Sequence, residues 1–145
     1  MFTKGLILVL DLLIWLPIIL VTITIHEFSH GMVADYLGDP TPRHSGRLTL
    51  NPLAHLDPVG FILLMLVHFG WAKPVPINPL RFSDPRRGMA LVGLAGPFSN
   101  LILAWLLSLL AKYLLPFFSV PSLLNDVMTN AIWLNLALAV FSSAL

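Results

Sequence analysis

Three long apolar runs dominate the chain, and one polar stretch separates the first run from the second. The first run extends from Leu6 to about Tyr36, the second from Gly88 to Leu115, and the third from Leu123 to Leu145. Each run is longer than the roughly 20 apolar residues with which an α-helix crosses a lipid bilayer. The pattern therefore predicts three full membrane-spanning helices.

The polar stretch, residues 38–88, is rich in proline and contains two short segments in which apolar and polar residues alternate. These segments are residues 47–51 and residues 71–78. Alternation with a period of two is typical of β-strands, although the prolines of the second segment restrict it to a sheet edge. The sequence therefore predicts a small β-hairpin or sheet.

Between the two predicted strands lies a shorter apolar segment, Pro58 to Phe69. Its length of about 12 residues predicts a half-spanning or re-entrant element rather than a full crossing. The predicted fold class is thus an all-α polytopic membrane protein with about three full transmembrane helices, a half-spanning segment and a small hairpin or sheet. The sequence shows no repeats or linkers, so we treat residues 1–145 as a single domain.

Composition supports the membrane class. Of the 145 residues, 57% are hydrophobic and only 10% are charged, and a soluble domain of this size could not cover so much apolar surface. The lipid bilayer is therefore the expected surroundings of the chain. The formal net charge of +1 gives no reason to expect a nucleic-acid partner. The chain has no cysteine, so that any metal ion would be held by histidine and carboxylate side chains.

The distribution of positive charge predicts the orientation in the membrane. Six of the eight lysines and arginines lie in residues 38–88. Because Lys and Arg are enriched in cytoplasmic loops, residues 38–88 are predicted to be cytoplasmic in a multi-pass protein of the cell membrane.

The first apolar run carries an ionisable motif, His26-Glu27-Phe28-Ser29-His30. Residues four apart lie on one face of a helix, about 6 Å apart along its axis, so both imidazoles can bind one metal ion. Glu27 lies near enough to reach a water on that metal without being a ligand. The spacing predicts a zincin-type site, in which His26 and His30 hold Zn²⁺ and Glu27 is the general base of peptide-bond hydrolysis.

A plainer interpretation of the same residues is also available. His26 and His30 would then be interfacial or core histidines that hydrogen-bond to neighbours, with Glu27 on a hydrated face. We favour the metal site because a carboxylate inside an apolar helix is costly without a nearby cation.

Two further residues, His55 and Asp57, directly precede the half-spanning segment. They are candidates for a third metal ligand, or for groups that orient a ligand. A hydrogen-bonded turn before a helix explains them equally well.

The second span carries a face of small residues that would let another helix approach closely. On a helical wheel the face consists of Gly93, Gly96, Asn100 and Ala104. Asn100 is its polar member, and it would orient Glu27, hold a substrate carbonyl or make an interhelical hydrogen bond. The last of these roles is the most common for a polar residue in a membrane helix.

Six short stretches together resemble the site-2 protease family of intramembrane zinc metalloproteases, in its compact bacterial and archaeal form. With the last apolar span they cover about residues 20–141, and their order is more specific than any one of them. The stretches are HEFSH at 26–30, GDP at 38–40, GRLTLNP at 46–52, HLDP at 55–58, GWAKPVP at 70–76 and AGPFSN at 95–100.

The resemblance implies that His26 and His30 bind zinc and that Glu27 is the general base. It further implies that the substrate is a transmembrane or membrane-proximal segment of another protein. In the family, the third zinc ligand is an aspartate in a Leu-Asp-Gly motif, which follows a helix resembling residues 133–141. This chain continues instead with Ser142-Ser143-Ala144-Leu145.

Three explanations of this departure stay open at this point. The sequence is C-terminally incomplete, or Asp57 or His55 substitutes for the aspartate, or the protein is inactive. We favour the first explanation because the match persists to the point where the motif should begin.

Besides a protease, the alternatives are a non-catalytic membrane protein of the same fold that binds protein segments and a metal carrier. The carrier is the weaker alternative, since only one helix carries the ionisable groups.

Overall fold

The computed structural model of the chain describes residues 2–67, 71–117 and 122–143, which are mostly helical. In this part of the chain five α-helices follow one another: α1 (Phe2–Tyr36), α2 (Thr41–His44), α3 (Pro58–Val67), α4 (Pro85–Tyr113) and α5 (Ser122–Ser143). Single turns of 3₁₀ helix lie between them at Pro52–Ala54, Pro79–Arg81 and Leu115–Phe117.

Three helical stretches are long and apolar enough to cross a membrane, and they confirm the three predicted spans. They are Leu13–Tyr36, Pro85–Phe117 and Ser122–Ser142. Large apolar side chains such as Trp105 and Trp133 are exposed on them, which suits surfaces that face lipid. The predicted half-spanning segment forms the short helix α3, and residues 68–70 at its predicted end lie outside the described residues.

Helix α1 continues through Pro17 and ends in a glycine-capped turn. Gly38 has a φ of +104°, a conformation that L-residues with a side chain rarely adopt. In the same turn the N–H of Gly38 donates to the carbonyl of Asp35, and the N–H of Asp39 donates to that of Ala34. This is a Schellman end, and it supplies two otherwise unpaired carbonyls with donors.

Helix α4 packs against both α1 and α5, and α1 also contacts α5. Three members of the predicted small-residue face, Gly96, Asn100 and Ala104, are buried in α4. Gly93 is exposed, and a Cβ built on it would meet nothing within 4 Å. The face is therefore confirmed from Gly96 onward, and Gly93 lies off it.

A buried polar contact joins α5 to α1. The side-chain amide of Asn135 donates to the hydroxyl of Thr22 over 3.1 Å and to the carbonyl of Ala131 over 2.8 Å. Thr22 and Asn135 are almost fully buried. Thr22 lies one helical turn before His26, so this contact fixes α5 against the part of α1 that carries the motif.

The predicted hairpin or sheet is wrong. The structure over its described ranges contains no strand, and its only β-type pairing is one antiparallel bridge between Leu56 and Ala72. Residues 48–50 bend, while residues 73–78 carry no regular structure. Proline lacks an N–H, so the two prolines of the second segment cannot donate to a strand ladder.

Contacts from elsewhere in the chain hold residues 71–78, hereafter the extended segment. The N–H of Lys73 donates to the carbonyl of His55 over 2.9 Å. The guanidinium of Arg47 donates to the carbonyl of Ala54 and, over 3.5 Å, to that of Lys73. The segment is thus anchored by side chains as well as by backbone pairing.

Asp39 anchors the other end of the extended segment. Its fully buried carboxylate accepts hydrogen bonds from the N–H of Asn78 over 2.6 Å and from the N–H and hydroxyl of Thr41. Burial favours the neutral form of this carboxyl, but the donors outweigh burial and hold the pKa of Asp39 below its ordinary value. The charged carboxylate therefore ties the turn after α1 to the loop before α4.

Candidate metal centre

His26 and His30 present their Nε2 atoms to each other across one turn of α1. The two Nε2 atoms are 3.0 Å apart, and the ring centroids are 4.6 Å apart with the planes at 82°. Two imidazoles bound to zinc in tetrahedral geometry place their nitrogens about 3.3 Å apart. The helix therefore brings the pair to within a few tenths of an ångström of ligand spacing.

A backbone carbonyl of α4 fixes the tautomer of His30. Nδ1 of His30 lies 2.6 Å from the carbonyl oxygen of Val92. A carbonyl oxygen only accepts, so Nδ1 carries the proton and Nε2 of the neutral ring carries a lone pair. This is the tautomer that a metal ligand requires, with its other ring nitrogen hydrogen-bonded as in many metal sites.

Asn100 is the partner of the other ring. Its fully buried side-chain amide lies with Nδ2 3.0 Å from Nδ1 of His26, while its Oδ1 has no hydrogen-bond partner among the described residues. Asn100 therefore makes a contact between α4 and α1, in keeping with the interhelical role. Its partner is His26 and not Glu27.

Gly96 leaves space beside the two Nε2 atoms. A Cβ built on Gly96 would lie 2.5 Å from Nε2 of His26 and 2.5 Å from Nε2 of His30. The same Cβ would lie 2.6 Å from Cε1 of His26, so a methyl group there would clash with both rings. Two neutral imidazoles around a space of this kind fit a zinc ion, which binds imidazole nitrogen at about 2.0–2.1 Å.

Glu27 lies beneath the extended segment. Its Oε2 accepts a hydrogen bond from the backbone N–H of Val75 over 3.1 Å, and Val75 is buried. Oε1 accepts no hydrogen bond from the residues that the structure describes. One carboxylate oxygen is thus held in place, and the other is available for chemistry.

His55 and Asp57 make other contacts. Nε2 of His55 lies 2.9 Å from the carbonyl oxygen of Thr49 and donates to it. Oδ1 of Asp57 accepts from the N–H of Gly60 over 2.8 Å, at the beginning of α3. Within the described ranges no group of three or more His, Cys, Asp or Glu side chains could hold a metal. The structure thus does not bring these two residues to the histidine pair, and their contacts are those of a hydrogen-bonded turn.

Several curated proteins are similar to this chain, and their names refer to zinc metalloproteases. The chain is 51% identical over 88 residues to "Putative zinc metalloprotease YwhC" of Bacillus subtilis, and 31% identical over 128 residues to "Putative zinc metalloprotease Rip2" of Mycobacterium tuberculosis. These relatives bear out the resemblance of the chain to the site-2 protease family. The aligned residues are 61% and 84% of this chain but 40% and 45% of the two relatives, so it spans less than half of their length.

A third relative is "Putative zinc metalloprotease Rip2" of Mycolicibacterium smegmatis, with 36% identity over 92 residues. That alignment covers 61% of this chain and 36% of the relative. No family model matches the chain, and no solved structure matches it.

The sequence alone does not reveal three groups that surround the motif. The carbonyl of Val92 leaves no trace in the sequence, because every residue has one. The N–H of Val75 is not distinctive either, because every residue except proline has one. Gly96 was visible as a small residue in a helix, but only the structure shows that its missing side chain faces the two histidines.

Proposed function

We propose that this chain is an intramembrane zinc metalloprotease of the cell membrane. It would hydrolyse peptide bonds in or near the transmembrane segments of membrane proteins. The observation that carries the proposal is the approach of the two Nε2 atoms of His26 and His30 to 3.0 Å inside an apolar helix, next to Gly96. Relatives of the chain are named "Putative zinc metalloprotease", and these names support the same chemistry.

The two imidazoles would hold the metal, since their Nε2 atoms lie 3.0 Å apart and face each other. A zinc ion bound there supplies Lewis acidity, which activates water and polarises the scissile carbonyl. Oε1 of Glu27 takes a proton from the attacking water as the new C–O bond forms. The same oxygen then gives that proton to the amide nitrogen as the C–N bond breaks.

The N–H of Val75 contributes by holding the other oxygen of Glu27. A fixed carboxylate loses less orientational freedom when it takes the proton, and it stays aimed at the water. The extended segment also covers this side of the carboxylate.

The proposed topology places residues 38–88 in the cytoplasm, on the basis of the positive charges in this stretch. His30 lies six residues before the end of α1 at Tyr36, which corresponds to about 9 Å along the axis. Cleavage would therefore take place near the cytoplasmic face of the bilayer. The partners that we propose are a membrane-protein segment as substrate and the surrounding lipid.

One observation favours a second candidate, a non-catalytic membrane protein of the same fold that binds protein segments. Catalytic zinc in proteins usually has three protein ligands, and the described residues bring two histidines together. This candidate predicts that the chain cleaves nothing whether or not Glu27 is intact.

The deciding experiment compares the full chain with Glu27→Gln in lipid nanodiscs. Zinc content is measured by elemental analysis, and cleavage is measured on fluorescent casein and on a synthetic single-span membrane peptide. We expect wild type to cut and Glu27→Gln to keep its zinc while losing cleavage by about 100-fold or more. Asp35→Asn is the control, since it makes the same chemical change at the end of α1, where Asp35 pairs with Arg43.

Three results contradict the proposal in different ways. Equal cleavage by wild type and Glu27→Gln would exclude Glu27 as the base. Bound zinc without cleavage in either protein would support the non-catalytic candidate. Zinc uptake into sealed vesicles by both proteins would support a carrier.

A further inference from the structure

The contact between the two imidazoles needs either a shared proton or a metal ion between the two Nε2 atoms. His30 is fixed by Val92 as the tautomer with a lone pair on Nε2, and that lone pair faces Nε2 of His26 at 3.0 Å. Two lone pairs at this distance repel each other. The position between the rings is therefore taken either by a proton on Nε2 of His26 or by a metal ion.

These two occupants require opposite tautomers of His26. With the proton on Nε2, the Nδ1 atom of the neutral ring is a hydrogen-bond acceptor. With a metal on Nε2, the Nδ1 atom carries the proton and is a donor. The group that faces Nδ1 must therefore be able to donate in one case and to accept in the other.

Asn100 is that group, and its amide can do both. Nδ2 donates to Nδ1, and a half-turn of the amide brings Oδ1 to the same place as an acceptor. One end of the amide stays unpaired in either orientation, because Oδ1 now has no partner and Nδ2 would replace it there. The amide thus makes a similar number of hydrogen bonds in the two orientations, and we expect its half-turn to cost little free energy.

We propose that Asn100 is a positioning residue for His26. It lets zinc replace the proton on Nε2 of His26 while Nδ1 of the same ring keeps its buried hydrogen bond. The amide presents Nδ2 when the proton lies between the rings and Oδ1 when zinc does. The proton moves from Nε2 to Nδ1 of His26 through solvent, so the ring stays neutral and releases no proton. The inference rests on the metal-binding part of the proposed function and does not depend on peptide cleavage.

Two nearly isosteric variants separate the donor role from the acceptor role. Asn100→Asp supplies a carboxylate, which only accepts and therefore holds the proton on Nδ1 of His26 before zinc arrives. Asn100→Leu supplies neither a donor nor an acceptor. The matched control is Asn135→Leu, which removes another buried asparagine that bridges α5 and α1 but does not contact either histidine.

The measurements use the full chain in lipid bilayers with ¹⁵N-labelled histidine. Solid-state NMR reports the protonated nitrogen of each ring, with and without Zn²⁺, and a competitive chelator reports the zinc affinity. In wild type we expect His26 to change from protonated Nε2 to protonated Nδ1 on addition of zinc, while His30 keeps its proton on Nδ1. In Asn100→Asp we expect protonated Nδ1 on His26 without zinc, and zinc affinity at least equal to that of wild type.

Asn100→Leu is expected to weaken zinc binding by about 10- to 100-fold, the usual effect of removing the partner of a ligating histidine. Asn135→Leu is expected to bind zinc as wild type does. An unchanged zinc affinity in Asn100→Leu, or a zinc-free His26 with the same tautomer in wild type and Asn100→Asp, would overturn the inference. Wild type alone also decides the matter, since a His26 tautomer that does not respond to zinc contradicts it. A tautomer change without any cleavage would contradict the protease but leave this inference intact.

Discussion

The backbone N–H of Val75 donates to Oε2 of Glu27 over 3.1 Å, and this bond joins two residues that are 48 positions apart in the chain. It is the described contact that links the extended segment to the carboxylate beside the histidine pair. Val75 is also packed against α1, where a Cβ on Gly31 would meet its Cγ1 at 3.4 Å. The side chain and the backbone of Val75 thus have separate roles that can be tested separately.

The first prediction concerns this N–H. Val75→Pro removes the donor, and we expect cleavage to fall by about 10- to 100-fold, since a hydrogen bond to a charged group contributes about 1.5–3 kcal/mol. Val75→Ala keeps the N–H and loses only side-chain packing, so it should cut markedly better than Val75→Pro. Zinc content, measured in parallel, should be normal in both variants. Equal cleavage by the two variants would show that the hydrogen bond does not matter.

The second prediction concerns Gly96. Gly96→Ala places a methyl group 2.5 Å from both Nε2 atoms, and we expect zinc affinity to fall by about 100-fold or more because ligand distances tolerate only about 0.2 Å. Gly93→Ala is the matched control on the same helix, where the added Cβ meets nothing within 4 Å. Chelator competition measures both. Normal zinc binding by Gly96→Ala would exclude a metal at this position.

The third prediction concerns the pH dependence of stability. The pKa of Asp39 is lowered in the folded protein, so its carboxylate stabilises the fold above the unfolded pKa of about 3.9. This contribution is lost as the pH falls through the lower, folded pKa. Asp39→Asn should therefore be less stable than wild type near neutral pH, by about 1–3 kcal/mol.

Thermal unfolding of the Asp39→Asn variant in nanodiscs, at several pH values, checks this expectation. The stability difference from wild type should shrink as the solution is made acidic below about pH 4. The exposed Asp126 offers a control, because Asp126→Asn should change stability by less than about 0.5 kcal/mol. A difference between wild type and Asp39→Asn that grows on acidification would contradict the sign of the shift.

The fourth prediction concerns the bond between Thr22 and Asn135. A double-mutant cycle with Thr22→Val and Asn135→Ala should give a coupling of about 0.6 kcal/mol and at most about 1.7 kcal/mol, as double-mutant cycles give for hydrogen bonds between membrane helices. Unfolding by a denaturing detergent measures it. Each variant should bind zinc normally, since neither residue touches the histidines. Strict additivity of the two substitutions would mean that the contact contributes nothing.

Local periodicity was enough to predict the three spans and the approach of His26 to His30. A spacing of four residues fixes that approach wherever the segment is helical, and no tertiary information is needed. The end of α1 is also set locally, because Gly38 supplies a conformation that few other residues adopt. These features lie within one element of the chain.

The prediction of a hairpin is wrong because the alternation of apolar residues does not show which groups form hydrogen bonds with the backbone. Two prolines remove donors from residues 71–78, and the remaining groups pair with side chains such as those of Arg47 and Glu27. The sequence predicts Asn100 as the polar member of a small-residue helix face, but its partner lies 74 positions away in the chain. Contacts of this kind depend on how the helices pack, which the sequence pattern does not show.

The two anchors of the extended segment have a consequence for access to Glu27. Lys73 is held to His55 at one end and Asn78 to Asp39 at the other, while Val75 in the middle makes one described hydrogen bond, to the glutamate. Residues 74–77 thus form a short segment that is held by hydrogen bonds at both ends. Under the proposed function, a peptide that approached Glu27 from that side would displace residues 74–77 and replace the N–H of Val75 with one of its own. One hydrogen bond would then be exchanged while both ends of the segment stayed anchored.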